Sequence, residues 1–201
     1  MATATHLHSN DVRDHILATG QRIMAAKGFS AVGLNEILKD AGVPKGSFYH
    51  YFGSKEAFGA DILARYFEDY LAELDSTLHL PGLNMAQRLM KYWQVWRESQ
   101  SFSDCQGKCL AVKLGAEVAD LSDSMRLTLK SGTAGIIGRL AEALDKGIAD
   151  GSLTLDDEPA RVAESRYPLW VGASVMVKIV RTTEPFDSAL RMTQKIIHIT
   201  A

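Results

Sequence analysis

A chain of 201 residues, 46% hydrophobic and 23% charged with a formal net charge of −2, holds enough apolar surface for a sizeable core and excludes disordered and fibrous classes. The longest apolar run, PLWVGASVMVKIV, is short and interrupted by Lys178, and the start MATATHLHSNDVRDH has no basic flank leading into an apolar stretch. Neither a membrane span nor a secretory signal is therefore expected, and the cytoplasm is the expected compartment.

The first helix is expected from Ser9 or Asn10, both good N-caps, to Lys27, with Val12, Ile16, Leu17, Ile23 and Met24 near one face and Gly28 as its stop. GLNEILKDAG follows as a two-turn helix ended by Gly42. Pro44 then opens a second short helix, KGSFYHYF, and Ser54 caps a longer one in which Phe58, Ile62, Tyr66, Tyr70 and Leu74 recur every four residues. LPGLN is a turn, Met85 to about Ser101 reads as a helix, and SDCQGK is a break. Helical patterns resume over Leu110 to Leu121, restart at Ser122 and run to Ile148, then from about Glu158 to Arg181, and from Pro185 onward with Ile196 and Ile197 on the last apolar stripe. The sum is an all-α fold of about nine helices with no sheet.

Two features stand out along the way. Gly132, Gly135 and Gly138 recur every third residue, which reads as a small-residue face for close helix approach, since no strand precedes it and no GK[ST] follows. Pro168 falls inside the eighth helix, where it removes a hydrogen bond.

The charge is uneven, because residues 1–55 hold 6 Lys/Arg against 4 Asp/Glu, a net +2, and the rest is acidic. An anionic partner would meet the N-terminal end. Two short helices around a tight turn at Gly42 have the dimensions of a helix-turn-helix, whose second helix enters the DNA major groove. In KGSFYHYF, Phe48 and Phe52 lie four apart and share the inward face, leaving Tyr49 and His50 pointing elsewhere. Lys45 and Lys55 can neutralise phosphates, Ser47, Tyr49, His50 and Tyr51 can donate to phosphates or base edges, and Gly46 lets the backbone approach closely. The helix has no Arg, Asn or Gln for bidentate base contacts, so Lys45 and Tyr49 are the best base readers.

The stretch GFSAVGLNEILKDAGVPKGSFYHYFGSKEAF resembles the DNA-binding signature of the tetracycline-repressor (TetR) family of transcription regulators, over about residues 9–60. That resemblance implies a homodimer, with a helix-turn-helix domain over residues 1–57, a ligand-sensing and dimerisation domain over 58–201, and a dimer interface made by the last two helices. It places DNA contacts on Leu34 and Asn35 opening the second helix, on Lys45, Gly46, Ser47, Tyr49, His50 and Tyr51 in the third, and on Lys55 opening the fourth. The partners implied are double-stranded operator DNA, a second copy of the chain and a small-molecule effector.

The effector site is sought in GKCLAVKLGAEVADLSDSMR. Cys109 falls at the expected start of a helix with Lys108 adjacent and Lys113 one turn on, and a helix N-terminus with nearby cations favours the thiolate. The bland alternative is a small buried hydrophobe. CLAVKLGAEVADLSDSMR and LWVGASVMVKIVRTTEPFDSAL together resemble a TetR subgroup that responds to reactive electrophiles and oxidants through a cysteine at this position, with Lys108 standing where that pattern usually has glycine. Lys178 is a second candidate: within an apolar run it becomes a nucleophile or a partner for a modified sulfur, unless its stem snorkels to the surface.

Two other readings remain open on the sequence. One is the same fold sensing a small molecule without covalent chemistry, and the other a helical thiol enzyme, which would need a Cys-His pair that spacing does not reveal. CQGKC lacks a second Cys/His pair, so no metal site is expected, and no cofactor. Whether Cys105 and Cys109 pair is left undecided.

Overall fold

The computed structural model describes residues 9–99 and 109–200, and among them lie nine α-helices and two three-residue strands. In order these are α1 (Ser9–Lys27), α2 (Leu34–Ala41), α3 (Lys45–Phe52), α4 (Lys55–Leu78), α5 (Met85–Ser99), α6 (Leu110–Leu121), α7 (Asp123–Ala149), β1 (Leu153–Leu155), α8 (Pro159–Val180), α9 (Glu184–Gln194) and β2 (Ile197–Ile199). No helix among the described residues is long and apolar enough to cross a membrane.

Contacts divide the chain into two compact units, the first made of residues 1–66 and 109–129, the second of 67–108 and 130–201. The helices α4 and α7 therefore each contribute to both.

In the first unit, Ile16, Leu17, Ile23 and Met24 of α1, Ile37 and Leu38 of α2, Phe48 and Phe52 of α3 and Phe58 and Ile62 of α4 are all buried. The stop signals operate as residue types dictate. Gly42 adopts a left-handed conformation (φ 65°), and the N–H of the next residue, Val43, reaches back to the Leu38 carbonyl. The Ser54 hydroxyl accepts the Ala57 N–H at 3.0 Å to open α4.

The second unit is organised around stacked indoles. Trp93 of α5 lies 4.8 Å from Trp170 of α8 with an interplanar angle of 18°, and Trp170 stacks in turn on Phe186 of α9. Trp170 donates to Thr193 Oγ1 at 3.0 Å and the neighbouring Trp96 of α5 to Ser174 Oγ at 2.9 Å, whereas the buried Trp93 Nε1 has no hydrogen-bond partner among the described residues.

The glycine spacing in α7 has a packing basis at two of its three positions. A Cβ on Gly132 would lie 2.1 Å from Phe67 and one on Gly135 3.3 Å from Leu71, whereas Gly138 faces open space. Gly132→Ala should therefore destabilise the protein by about 1–3 kcal/mol through overpacking, read as a lowered urea midpoint, while Gly138→Ala should be neutral or slightly stabilising.

One feature corrects the sequence reading. The last helix ends at Gln194, and Ile197–Ile199 forms a strand paired antiparallel with Leu153–Leu155, Leu153 opposite Ile199. Three residues of alternation are too few to register as a strand pattern, and the partner is over forty residues away, so the pairing is a tertiary outcome. Pro168 lies inside the helix Pro159–Val180, as expected. The proline and Glu164, whose carbonyl would have received its missing N–H, are both exposed, where water can take over that carbonyl.

Candidate nucleic-acid interface and sensor site

Helix α3 is seated by Phe48 and Phe52, whose rings lie 5.0 and 4.7 Å from that of Phe58 on α4. Phe48 is 0% exposed while the adjacent Tyr49 is 48% exposed, so the seating turns one aromatic inward and the next outward. Lys45, Gly46 and His50 are also exposed, and Ser47 and Tyr51 are half-buried. Lys45 Nζ stands 5.8 Å from the Tyr49 ring centroid, and the His50 and Tyr51 rings meet edge to face at 4.9 Å. A Cβ on Gly46 would meet nothing within 4 Å. Nothing inside the protein requires glycine there, which leaves the backbone on this face open to something outside it.

Leu34 and Asn35 open α2, the first half-buried and the second exposed. Lys55 differs from the other candidates. Its amine donates to the Phe29 carbonyl at 2.8 Å and lies 4.4 Å over the Phe29 ring, leaving two N–H donors for an outside partner. All nine expected contact residues thus fall within the first unit, on α2, α3 and the first residue of α4.

The sensor candidate belongs to the same unit. Cys109 is the N-cap of α6, 4% exposed, and Tyr66 of α4 donates its hydroxyl to the sulfur at 3.4 Å. Lys113 follows one turn on, half-buried. Lys178 lies near the C-terminal end of α8 in the second unit, half-buried beside the fully buried Val177. Cys105 lies outside the described residues. Among the described residues no group of three or more His, Cys, Asp or Glu converges to hold a metal ion.

Two residues missed in the sequence lie on these elements. Tyr66 was assigned only to a core stripe. Glu117 of α6 was not singled out at all, yet its carboxylate accepts the backbone N–H groups of Phe29 at 3.1 Å and Ser30 at 2.7 Å. Burial, the largest single influence on Glu117, acts to raise its pKa, but the bonds from Ser30 and Phe29 together with Lys113 outweigh it and hold the carboxyl below its ordinary value. Its contribution to stability is therefore present above the ordinary carboxylate range and is lost as pH falls through the lowered value. The one available signal was the four-residue spacing of Cys109, Lys113 and Glu117.

A short polar helix presented from a buried aromatic seat, behind a second short helix and a three-residue turn, defines a helix-turn-helix DNA-binding regulator. Residues 16–61 match the family model for bacterial regulatory proteins of the tetR family, and residues 86–193 match a tetracyclin repressor-like C-terminal domain. The chain belongs to the tetR family. It is 42% identical over 188 residues to the HTH-type transcriptional repressor NemR of Escherichia coli, covering 94% of each chain, and 33% identical over 179 residues to the repressor DhaR of a Mycobacterium species, covering 89% of this chain and 88% of that one. The crystal structure of E. coli NemR in its reduced form superposes with a TM-score of 0.89 at 43% identity, covering 95% of this chain and 99% of that one.

Proposed function

We propose that this protein is a cytoplasmic repressor that binds a palindromic operator as a dimer and lets go when a reactive electrophile or oxidant modifies Cys109. The observation that carries the sensor is the position of Cys109 at the N-cap of α6 with the Tyr66 hydroxyl aimed at its sulfur. A helix N-terminus and an O–H donor both stabilise negative charge on sulfur, the form that attacks electrophiles. The E. coli relative, a transcriptional repressor with a crystal structure of its reduced form, supports the same reading.

Residues 1–57 supply the DNA contacts, through Leu34, Asn35, Lys45, Gly46, Ser47, Tyr49, His50, Tyr51 and Lys55, and residues 58–201 supply sensing and dimerisation. A dimer face on the last two helices is supported by exposed Val175, Met176, Ile179 and Val180 on α8 and Met192 on α9, with Ile179 65% exposed. So many adjacent apolar side chains are costly to leave in water. Two-fold pairing would bring two recognition helices onto half-sites about 34–36 Å apart or somewhat more.

The Cys109 thiol gives its proton to solvent, and the thiolate either adds to an electrophilic carbon, forming a carbon–sulfur bond, or takes an oxygen atom from a hydroperoxide, which leaves as water or alcohol. The added bulk at the N-cap of α6 pushes that helix. Lys178 of α8 is the second effector-sensing residue of this reading. The burial of Cys109 favours a second reading, in which an effector binds without covalent chemistry and the thiol only packs.

A gel shift on the DNA upstream of the protein's own gene, with and without a thiol-reactive compound, tests the reading. Binding to a short palindrome that falls steeply with salt is expected, with release in the treated wild type and an adduct on Cys109 by mass spectrometry. A Lys178→Met protein that releases normally would remove the lysine from the account. Release without any adduct would favour the non-covalent effector.

A further inference from the structure

The Gly28-Phe29-Ser30 turn between α1 and α2 is held from two sides. Glu117 on α6 takes both of its forward N–H groups, one on each carboxylate oxygen. Lys55 at the start of α4 takes the Phe29 carbonyl and covers its ring. The ring itself is 4% exposed and packs against α4 so tightly that a Cβ on Gly59 would lie 2.7 Å from it. Gly28 is fitted to the same clamp: its φ of 91° suits glycine, and a Cβ there would come within 3.1 Å of the Glu117 carboxylate.

Water alone cannot replace this attachment: it would serve the exposed Ser30 N–H, but Gly28 and Phe29 are buried, so the Phe29 N–H depends on the carboxylate of a helix nearly ninety residues away. A carboxylate engaged by two peptide N–H groups is a directional, charge-assisted attachment that fixes the turn in register with α6. Glu117 lies eight residues along from Cys109, about 12 Å of helix rise, so a shift at the start of α6 is carried rigidly to it.

The geometry points to Glu117 as the positioning residue that ties operator affinity to the placement of α6, holding the Phe29 peptide and through it Lys55 in the DNA-binding arrangement. The strut itself stands on contacts within the first unit; only its use in release rests on the Cys109 reading given above.

The sign of the effect separates this role from simple electrostatics. Removing an acidic side chain from a DNA-binding protein should strengthen binding to a polyanion. The strut predicts the opposite. Glu117→Ala should weaken operator binding about tenfold at fixed salt, with a log Kd–log salt slope reduced by about one phosphate contact although no cation has been removed. Glu117→Gln, which keeps one acceptor, should fall between it and the wild type, and amide exchange at Phe29 and Ser30 should quicken in both. After complete alkylation, the alanine variant should show a smaller further loss of affinity than the wild type. Unchanged or tighter operator binding by a folded Glu117→Ala protein overturns the proposal, and if that variant does not fold, the same outcome in Glu117→Gln does so. Weakened binding by the variants combined with a wild type indifferent to alkylation upholds the strut and removes Cys109 as the sensor.

Discussion

Phe48→Ala is expected to remove about 3–5 kcal/mol from the stability of the DNA-binding unit and with it all measurable operator binding. The side chain is 0% exposed and meets Phe52 at 5.2 Å, Phe58 at 5.0 Å and Tyr49 edge to face at 5.6 Å. An eight-residue helix has little stability of its own, so loss of the ring that seats it leaves α3 without a reason to form. Urea denaturation together with fluorescence anisotropy on labelled operator should show both losses at once. A Phe48→Ala protein that melts and binds like the wild type would mean that α3 is held by something other than this aromatic seat.

The adjacent residue should behave in the opposite way. In the pair Lys45→Ala with Tyr49→Ala, two exposed side chains are removed that meet each other and, for Tyr49, the edge of Phe48. The melting midpoint should stay near that of the wild type. Operator binding should weaken about 100-fold, since each base or phosphate contact of this kind carries about 1–3 kcal/mol, and the salt slope should fall by about one for the lysine. Had the two residues been packing elements, the order of the effects would be reversed, with stability lost and the affinity of the folded fraction kept.

The burial of Phe48 and Phe52 and the exposure of Tyr49 within KGSFYHYF were legible in the sequence because four-residue spacing assigns the two phenylalanines to one face regardless of what surrounds the helix. Helix number and most boundaries were legible for similar local reasons, as Gly42, Ser54 and Ser122 act through their own backbone and side chains. The strand pair was not, since Leu153 and Ile197 acquire strand geometry only by meeting each other. Nor was the engagement of Lys55, whose basic character at a helix start suggests phosphate contact while its half-buried amine bonds the Phe29 carbonyl. Glu117 was invisible for a further reason: a carboxylate on a helix reads as a solvated face, and its partners are two peptide N–H groups that carry no residue identity. At Cys109 the sequence placed the helix start correctly but could not show that the thiol is packed beneath Tyr66.

The account turns on whether modification of that packed thiol is what releases DNA. The direct measurement is operator affinity by anisotropy for wild type and Cys109→Ser, before and after treatment with a thiol-reactive electrophile, with Cys109 modification followed by mass spectrometry. The account predicts equal affinities before treatment, a loss of at least about tenfold in the wild type in step with modification, and no change in Cys109→Ser. Equal release from both proteins, or a fully modified wild type that still holds its operator, would contradict it.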